Sequence, residues 1–513
     1  MNTALPEVST TTTLAKSTDV LVLGVEQYRS KFRIVGIPEG YSEHFAEVMG
    51  LPLLKAAELV GASPQIENVA VGFGPDKTAL VFTGVNLGPQ EESPTTLRDA
   101  YGAAMRKVIT MGNGKALKVA IGMEGFPPEM TWPIGEAAGL GCYQFTLEGS
   151  DTPVSAIKLI VDKETASQAG KDFPYPTIFA TYLARDWINT PANILTPDTF
   201  CEMIAGAAKD VGVEFTDWDA DELEEEGYGG ITAVGKGSVH KPRLLRLNYT
   251  PEDWRDGKPY IAFVGKGVTF DSGGLDLKSP ESMSTMKYDM AGAAAVAAAT
   301  IAVGSANLKV KVDAYLPLVE NMPSGSAMRR GDVITMYDGQ TVEITNTDAE
   351  GRIILADALA MADEISPDYT ISIATLTGAA RTALGERIGA LYSNSSELAE
   401  MVNTASTIMG EMLWEMPLPN FLYPKLKSKV ADMVSAPGRI GGSMNAAAFL
   451  SEFVIGDWAH LDIAGPAWAA EPWGANAFGA TGFGTRTLFA MAMLTHMGAV
   501  LAESEDFEEP TRS

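Results

Sequence analysis

The chain has 513 residues, 46% apolar and 20% charged, and its 38 Lys+Arg against 65 Asp+Glu give a formal net charge of −27. That balance excludes a disordered chain and one built of bilayer spans, and it argues against a nucleic-acid partner, because phosphate binding needs clustered cations. Two cysteines, Cys142 and Cys201, exclude a disulfide framework and cysteine-based zinc or iron–sulfur modules, and both are expected as small buried side chains.

Residues 1–18 are rich in Thr and Ser, lack a basic segment followed by an apolar one, and are expected to form a flexible arm. Residues 19–170 then alternate β-branched runs with helical stretches. Strands are expected at Asp19–Val25, Asn68–Gly72, Ala79–Thr83, Leu117–Ile121 and Ile157–Val161, and helices at Tyr41–Leu54, Ser93–Met111 and Pro133–Leu140. Such alternation predicts an α/β domain with a largely parallel sheet.

Gly170, Pro174 and Pro176 mark a boundary, placing a second and larger domain over residues 171–502. Its first helix, Thr177–Ile188, closes at Asn189-Thr190-Pro191, and Thr196-Pro197-Asp198 opens another with Pro in the first turn. Asp217–Glu226 is acidic and predicts an exposed helix face. Strands follow at Tyr260–Val264, Lys309–Ala314, Val342–Ile344 and Tyr369–Ala374, with helices at Ala291–Val303 and Ile353–Ile365. The helix Ala291–Val303 is too short to cross a bilayer, which takes about 20 residues. Glycine-rich patches at Gly438–Gly442 and Gly474–Gly484 have the character of loops that edge a site, and residues 503–513 form an acidic tail. With no export signal and few cysteines, the expected address is the cytoplasm.

Several chemistries are missing. There is no His-Glu-x-x-His, no Gly-x-Ser-x-Gly elbow and no phosphate-cradling glycine loop, and the four histidines are scattered. Any metal site must therefore lean on carboxylates.

Two segments carry chemistry. The first runs from Val264 to Gly274, placing Lys266 and Asp271 in glycine-flanked turns at a strand's carboxyl end, and continues through Lys278 to Asp289. Open α/β sheets bind ligands at that edge. The second is Asn346-Thr347-Asp348-Ala349-Glu350-Gly351-Arg352, where an extended backbone would point Asp348 and Glu350 to one side. Four carboxylates in one pocket repel one another unless cations neutralise them. Two divalent ions would do so, and would also activate a water and polarise a carbonyl. One lysine could bind an ion as a neutral amine and another could stabilise an oxyanion.

These residues, with Met286-Lys287-Tyr288-Asp289-Met290 and the heptapeptide from Asn346 to Arg352, resemble the leucyl aminopeptidase family, the cytosol aminopeptidases of peptidase family M17. Asn189–Asn193, Ala374–Ala379 and Trp458–Gly465 match as well, over about residues 178–498. The resemblance implies a small N-terminal α/β domain of macro-domain type, a larger catalytic α/β domain with a mixed central sheet, and a homohexamer. It implies a metalloexopeptidase acting on peptides with a free N-terminus, leucine-like residues preferred, with two divalent ions per subunit, Mn²⁺ or Zn²⁺.

One ion would be held by Lys266, Asp271, Asp289 and Glu350, and the other by Asp271, Asp348 with its carbonyl, and Glu350. Lys278 would stabilise the oxyanion, and Arg352 would hold a bicarbonate that relays a proton. Met286, Thr375, Leu376 and Gly378 would line the pocket for the first side chain. Asp276 departs from the family's usual neutral residue and is expected to face solvent; His460 is expected to be structural. The rivals are a non-enzymatic scaffold on the same fold, which would show lost site residues, and a two-metal phosphoesterase, which would show histidine ligands and a basic clamp.

Overall fold

The computed structural model describes residues 4–29, 31–86, 93–149, 152–169, 174–209, 211–255 and 259–506, of which 499–506 by backbone alone. The chain divides into two compact units, one of Met1–Tyr182 with Ala469–Gly479 and one of Leu183–Trp468 with Ala480–Ser513. The division falls inside the helix Tyr175–Asn189, beyond the glycine and prolines that suggest a boundary at residue 170.

The smaller unit is built on β1 (Glu7–Thr11), β2 (Val20–Tyr28), β3 (Lys31–Val35), β4 (Val69–Phe73), β5 (Ala79–Gly84), β6 (Leu117–Gly122) and β7 (Val154–Ile160). Their order is β1-β7-β6-β2-β5-β4, with β3 beside β2. The β1–β7, β7–β6, β6–β2 and β2–β5 pairs are parallel, whereas β3 and β4 run antiparallel to their neighbours.

Side chains alternate between the faces of a strand, and β2 shows why both faces are covered. Val20 and Val22 enter one buried cluster with Leu97, Tyr101 and Ile134, while Leu21, Leu23 and Val25 enter another with Phe45, Leu53 and Leu80. Within the expected N-terminal arm, Glu7–Thr11 is a strand, because β1 zips onto β7. The stretch Tyr41–Leu54 is not one helix either. It breaks at Gly50, which takes φ 71°, and resumes after Pro52 as Leu53–Leu59.

The larger unit carries β8 (Val213–Trp218), β9 (Arg243–Tyr249), β10 (Tyr260–Gly265), β11 (Gly267–Asp271), β12 (Lys311–Asn321), β13 (Val333–Thr335), β14 (Thr341–Glu343), β15 (Tyr369–Ala374), β16 (Gly389–Ser393), β17 (Leu413–Glu415), β18 (Met433–Val434) and β19 (Trp458–Asp462). Nine form the central sheet in the order β17-β16-β19-β15-β10-β12-β9-β8, with β11 beside β12. Its middle strands β19, β15, β10 and β12 are parallel, and β9, β8 and β16 make it mixed. The acidic stretch Asp217–Glu226 begins in β8 and becomes helical only at Ala220, where Asp219 caps it by accepting from Asp221 N and Glu222 N.

The helix Ala291–Ser305 is buried from Ala291 to Gly304. Among the described residues one stretch, Met286–Ser305, is long and apolar enough to cross a bilayer, and 94% of its apolar window is buried inside the protein. It is a core helix. Small residues let it lie close on the sheet: a Cβ on Gly292 would sit 2.2 Å from the Ile373 carbonyl oxygen, and one on Gly265 would sit 2.7 Å from Ala293 Cα. Of the expected acidic tail, residues 507–513 lie outside the described residues, and the backbone of 503–506 continues the helix Thr485–Asp506.

Candidate metal centre and active-site cleft

The site forms where parallel strands of the larger unit end. Lys266 follows β10, Asp271 ends β11, and Thr375 follows β15. Asp289 comes between the turn Met286–Tyr288 and the close-packed helix Ala291–Ser305. Asp348 lies in a turn and Glu350 is the first residue of the helix Glu350–Glu364, so their convergence comes from a helix start and not from the extended backbone expected. After Asp271 the chain turns sharply. Gly273 and Gly274 take φ 86° and 65°, Gly273 N donates to Asp271 Oδ1 (2.8 Å), and Lys278 N donates to the Ser272 carbonyl (2.9 Å). This turn brings Lys278 back over Asp271.

Two lysines and four carboxylates meet there. Lys266 Nζ lies 2.8 and 2.7 Å from the two oxygens of Asp289 and 2.9 Å from Glu350 Oε1, and it donates to the Thr375 carbonyl (2.9 Å). Lys278 Nζ lies 2.6 Å from Asp271 Oδ2 and 2.5 Å from Asp348 Oδ1. Asn321 Nδ2 donates to Asp271 Oδ1 (2.8 Å), and Thr375 Oγ1 donates to Asp289 Oδ1 (2.7 Å). Lys266, Asp271, Asp289 and Glu350 are buried, while Asp348 and Lys278 are partly open to solvent.

Burial and mutual repulsion govern the electrostatics. Burial pushes Asp289 up to about 8 despite Lys266, with Asp271 and Glu350 adding to the rise. Burial, Glu350 and Asp271 push Asp348 up to about 6. Asp271 is also raised, by burial and then by Glu350. Burial works against Glu350 as well, but Lys266 and Lys278 outweigh it and hold its carboxyl below the usual range. Burial disfavours the charge on both lysines, and the surrounding carboxylates overcome that and raise them. Clustered groups that push one another's affinities for protons apart are a signature of a working site.

The cluster fits divalent ions. Ligand atoms from Asp271, Asp348 and Glu350 all lie within 4.8 Å of one another. Glu350 Oε2 is buried and has no hydrogen-bond partner among the described residues, which is costly for a carboxylate oxygen that nothing completes. The donors are oxygens with a lysine amine beside them, a set suited to hard or borderline divalent ions.

A cleft of about 890 Å³ opens over the cluster. Met286, Thr375, Leu376 and Gly378 line it, together with Lys266, Lys278 and the four carboxylates. Arg352 does not line it. Its side chain is buried, with Nη1 donating to the Ser435 carbonyl (3.0 Å) and Nε without a hydrogen-bond partner among the described residues. Burial lowers Arg352 to about 10, so it stays protonated at neutral pH.

His460 is fully buried, with Nδ1 2.9 Å from Ser372 Oγ and its ring stacked on Trp458. Cys142 and Cys201 are free and buried. The smaller unit has its own cavity of about 500 Å³, bordered by Glu26, Arg33 and Glu124 among others.

Two further contributors escape a reading of the sequence, and one expectation is corrected. Asn321 ends β12, and nothing in its local pattern separates it from a loop asparagine. Asp462 accepts from Leu376 N (3.2 Å), Thr377 N (3.3 Å) and Ser443 Oγ (3.2 Å), fixing the cleft wall at Leu376–Gly378. It belongs to the matched run Trp458–Gly465, which is a signal without a role attached. Asp276 does not simply face solvent: it accepts from Thr347 N (2.8 Å) and from Arg330 Nε (2.8 and 2.9 Å).

The catalytic-domain model of the cytosol aminopeptidase family matches residues 182–489, more than half of the chain and nearly all of the larger unit. A probable cytosol aminopeptidase of Cutibacterium acnes is 41% identical over 466 residues, covering 88% of this chain and 89% of that protein. The chain belongs to the cytosol aminopeptidase family.

A second probable cytosol aminopeptidase, from Streptomyces avermitilis, is 38% identical over 483 residues, covering 90% of this chain and 91% of that protein. Among solved structures, the bottromycin maturation enzyme BotP in complex with Mn superposes with a TM-score of 0.78 at 35% identity, covering 93% of this chain and all of that one. A variant of tomato leucine aminopeptidase superposes with a TM-score of 0.81 at 28% identity, covering 95% and 96%. The two-unit α/β architecture of this cytosol aminopeptidase is therefore that of its relatives, and the convergence of every expected ligand in one cluster disfavours a scaffold that has shed its chemistry.

Proposed function

We propose that this aminopeptidase hydrolyses the N-terminal residue of unblocked peptides, with broad tolerance and a preference for leucine-like side chains, at a pair of divalent ions, Mn²⁺ or Zn²⁺. The observation that carries the reading is the meeting of Asp271, Asp289, Asp348 and Glu350 with two lysines at the floor of the cleft, where Glu350 Oε2 has no hydrogen-bond partner among the described residues. Lys266, Asp271, Asp289 and Glu350 would hold one ion, and Asp271, Asp348 and Glu350 the other. Bound there, such ions lower the pKa of a water and polarise a carbonyl.

The chain's own groups supply the rest. Lys278, at the open side of the cluster, donates to the oxygen that gains charge as the peptide carbon becomes tetrahedral. Arg352, set behind the cleft on the Ser435 carbonyl with Nε unshared among the described residues, would hold the bicarbonate that the family resemblance implies as proton acceptor. Met286 and Leu376 offer apolar surface to the first side chain beside Thr375 and Gly378. Lys266 must give up its proton to serve as a ligand, which the field of two ions favours. A homohexamer working in the cytoplasm completes the reading. The name cytosol aminopeptidase borne by its relatives supports the address.

The test is release of leucine from a short peptide with a free leucine N-terminus and from its N-acetyl counterpart, before chelation, after it, and after restoring Mn²⁺ or Zn²⁺. Cleavage of the free peptide alone, lost on chelation and recovered with either ion, is expected. Equal rates on both peptides, or full activity after exhaustive chelation, would overturn the reading.

A further inference from the structure

The two loops that carry the site are laced together by a side chain with no role in the chemistry above. Asp276 lies in the turn between Asp271 and Lys278, and its carboxylate reaches the other loop. Oδ2 accepts from Thr347 N (2.8 Å), immediately before Asp348. The contact is reciprocal, because Asp276 N donates to Thr347 Oγ1 (2.8 Å), which itself donates to the Gly273 carbonyl (2.8 Å). Arg330, from the turn before β13, closes on both carboxylate oxygens at 2.8 and 2.9 Å.

We propose that Asp276 is a positioning residue: by clamping the turn Gly273–Lys278 to Thr347, it sets the separation of Lys278 from Asp348. The inference rests on the proposed function for its kinetic readout and on the geometry alone for the other.

The two arms of the clamp differ in worth. The Arg330 side chain is 62% exposed, and an ion pair so open to water contributes little. The arm to Thr347 is the strong one. Thr347 is fully buried, and a carboxylate accepting from a backbone amide makes a charge-assisted bond. The turn has little slack, since a Cβ on Gly273 would lie 2.4 Å from the Asp276 carbonyl oxygen and 3.0 Å from Asp348 Oδ1. A shift of Asp276 is therefore passed to Lys278 and Asp348 together. Small misplacements of reacting groups are expensive in rate.

The experiment compares Asp276→Ala, Asp276→Asn and Arg330→Gln with the parent, using steady-state kinetics on a leucyl peptide and calorimetric titration of the chelated full-length protein with Mn²⁺. For Asp276→Ala the expected result is kcat lowered at least tenfold with KM within a factor of three, and the weaker Mn²⁺ step shifted several-fold to higher concentration. Asp276→Asn, which keeps an acceptor for Thr347 N, should recover most of both losses, and Arg330→Gln should cost less than Asp276→Ala.

A role in stability alone would lower the melting temperature and leave kcat per folded molecule and the Mn²⁺ titration as in the parent, which would overturn the proposal. So would Asp276→Asn behaving no better than Asp276→Ala. Should the parent cleave no peptide, the proposed function fails, while the Mn²⁺ titration still decides the clamp.

Discussion

The Lys278 ammonium lies 2.6 Å from Asp271 Oδ2, while Asp271 Oδ1 is held independently by Asn321 Nδ2 and Gly273 N, each at 2.8 Å. Asp271 thus keeps two donors without the lysine, so the proposed hand-over of Lys278 to a substrate oxygen would leave Asp271 oriented.

Replacing Lys278 with Met should lower kcat by about 10²-fold, the usual cost of losing one oxyanion donor. Bound Mn²⁺, measured by elemental analysis, should stay at the parent's stoichiometry because Asn321 and Gly273 still orient Asp271. Unchanged kcat would remove Lys278 from the chemistry.

Glu350 tests the ions from the other side. An ion that binds only the folded chain raises stability by about 2.7 kcal/mol at a concentration 100 times its Kd. Thermal unfolding of the parent should shift upward when Mn²⁺ is added after chelation. Glu350→Gln should lose most of that shift, along with activity, because in the proposed function this one carboxylate would serve both ions. A full Mn²⁺ shift in this variant would refute the bridging role.

Gly351 sets two effects against each other. Alanine in place of a helical glycine gains up to about 1 kcal/mol in propensity. Here, however, the added Cβ would sit 2.6 Å from Lys266 Cε, and overpacking costs about 1–3 kcal/mol. Steric conflict should win, so Gly351→Ala should melt lower than the parent and bind Mn²⁺ more weakly. A higher melting temperature would show that Lys266 yields freely.

Stability should also fall in acid through His460, which burial and then Arg352 lower to about 3 from the ordinary 6.5. Below pH 6.5 the unfolded chain takes up a proton that the folded chain refuses, so this contribution is intact above pH 6.5 and is lost as pH falls toward 3. Between pH 7 and pH 5 it amounts to about 2 kcal/mol at 1.36 kcal/mol per pH unit. Urea unfolding of His460→Gln should show an acid loss smaller than the parent's by about that amount. Equal slopes would mean that the imidazole is not the group responsible.

How much of this was legible beforehand depended on whether a signal was local. Lys266, Asp271, Asp289, Asp348 and Glu350 stand in short motifs whose order and spacing carry the family resemblance, and the structure brings all five together. Helix ends marked by Ser93 and Thr196 also fall where capping chemistry puts them. Features decided by distant partners were not legible. Glu7–Thr11 becomes a strand because β7 offers it an edge, and Asp276 turns inward because Thr347 and Arg330 arrive from elsewhere in the chain.

The run of alanines and glycines after Asp289 has a consequence for anyone redesigning this enzyme. The backbone of Ala291–Ser305 rests almost directly on the strands beneath it, a thin shim laid just after the residue, Asp289, that meets Lys266 at 2.8 Å. Libraries aimed at new substrates should leave those featureless residues untouched and draw their diversity from the rim at Met286 and Leu376, where a bulkier side chain alters the fit of the guest without prising the floor apart.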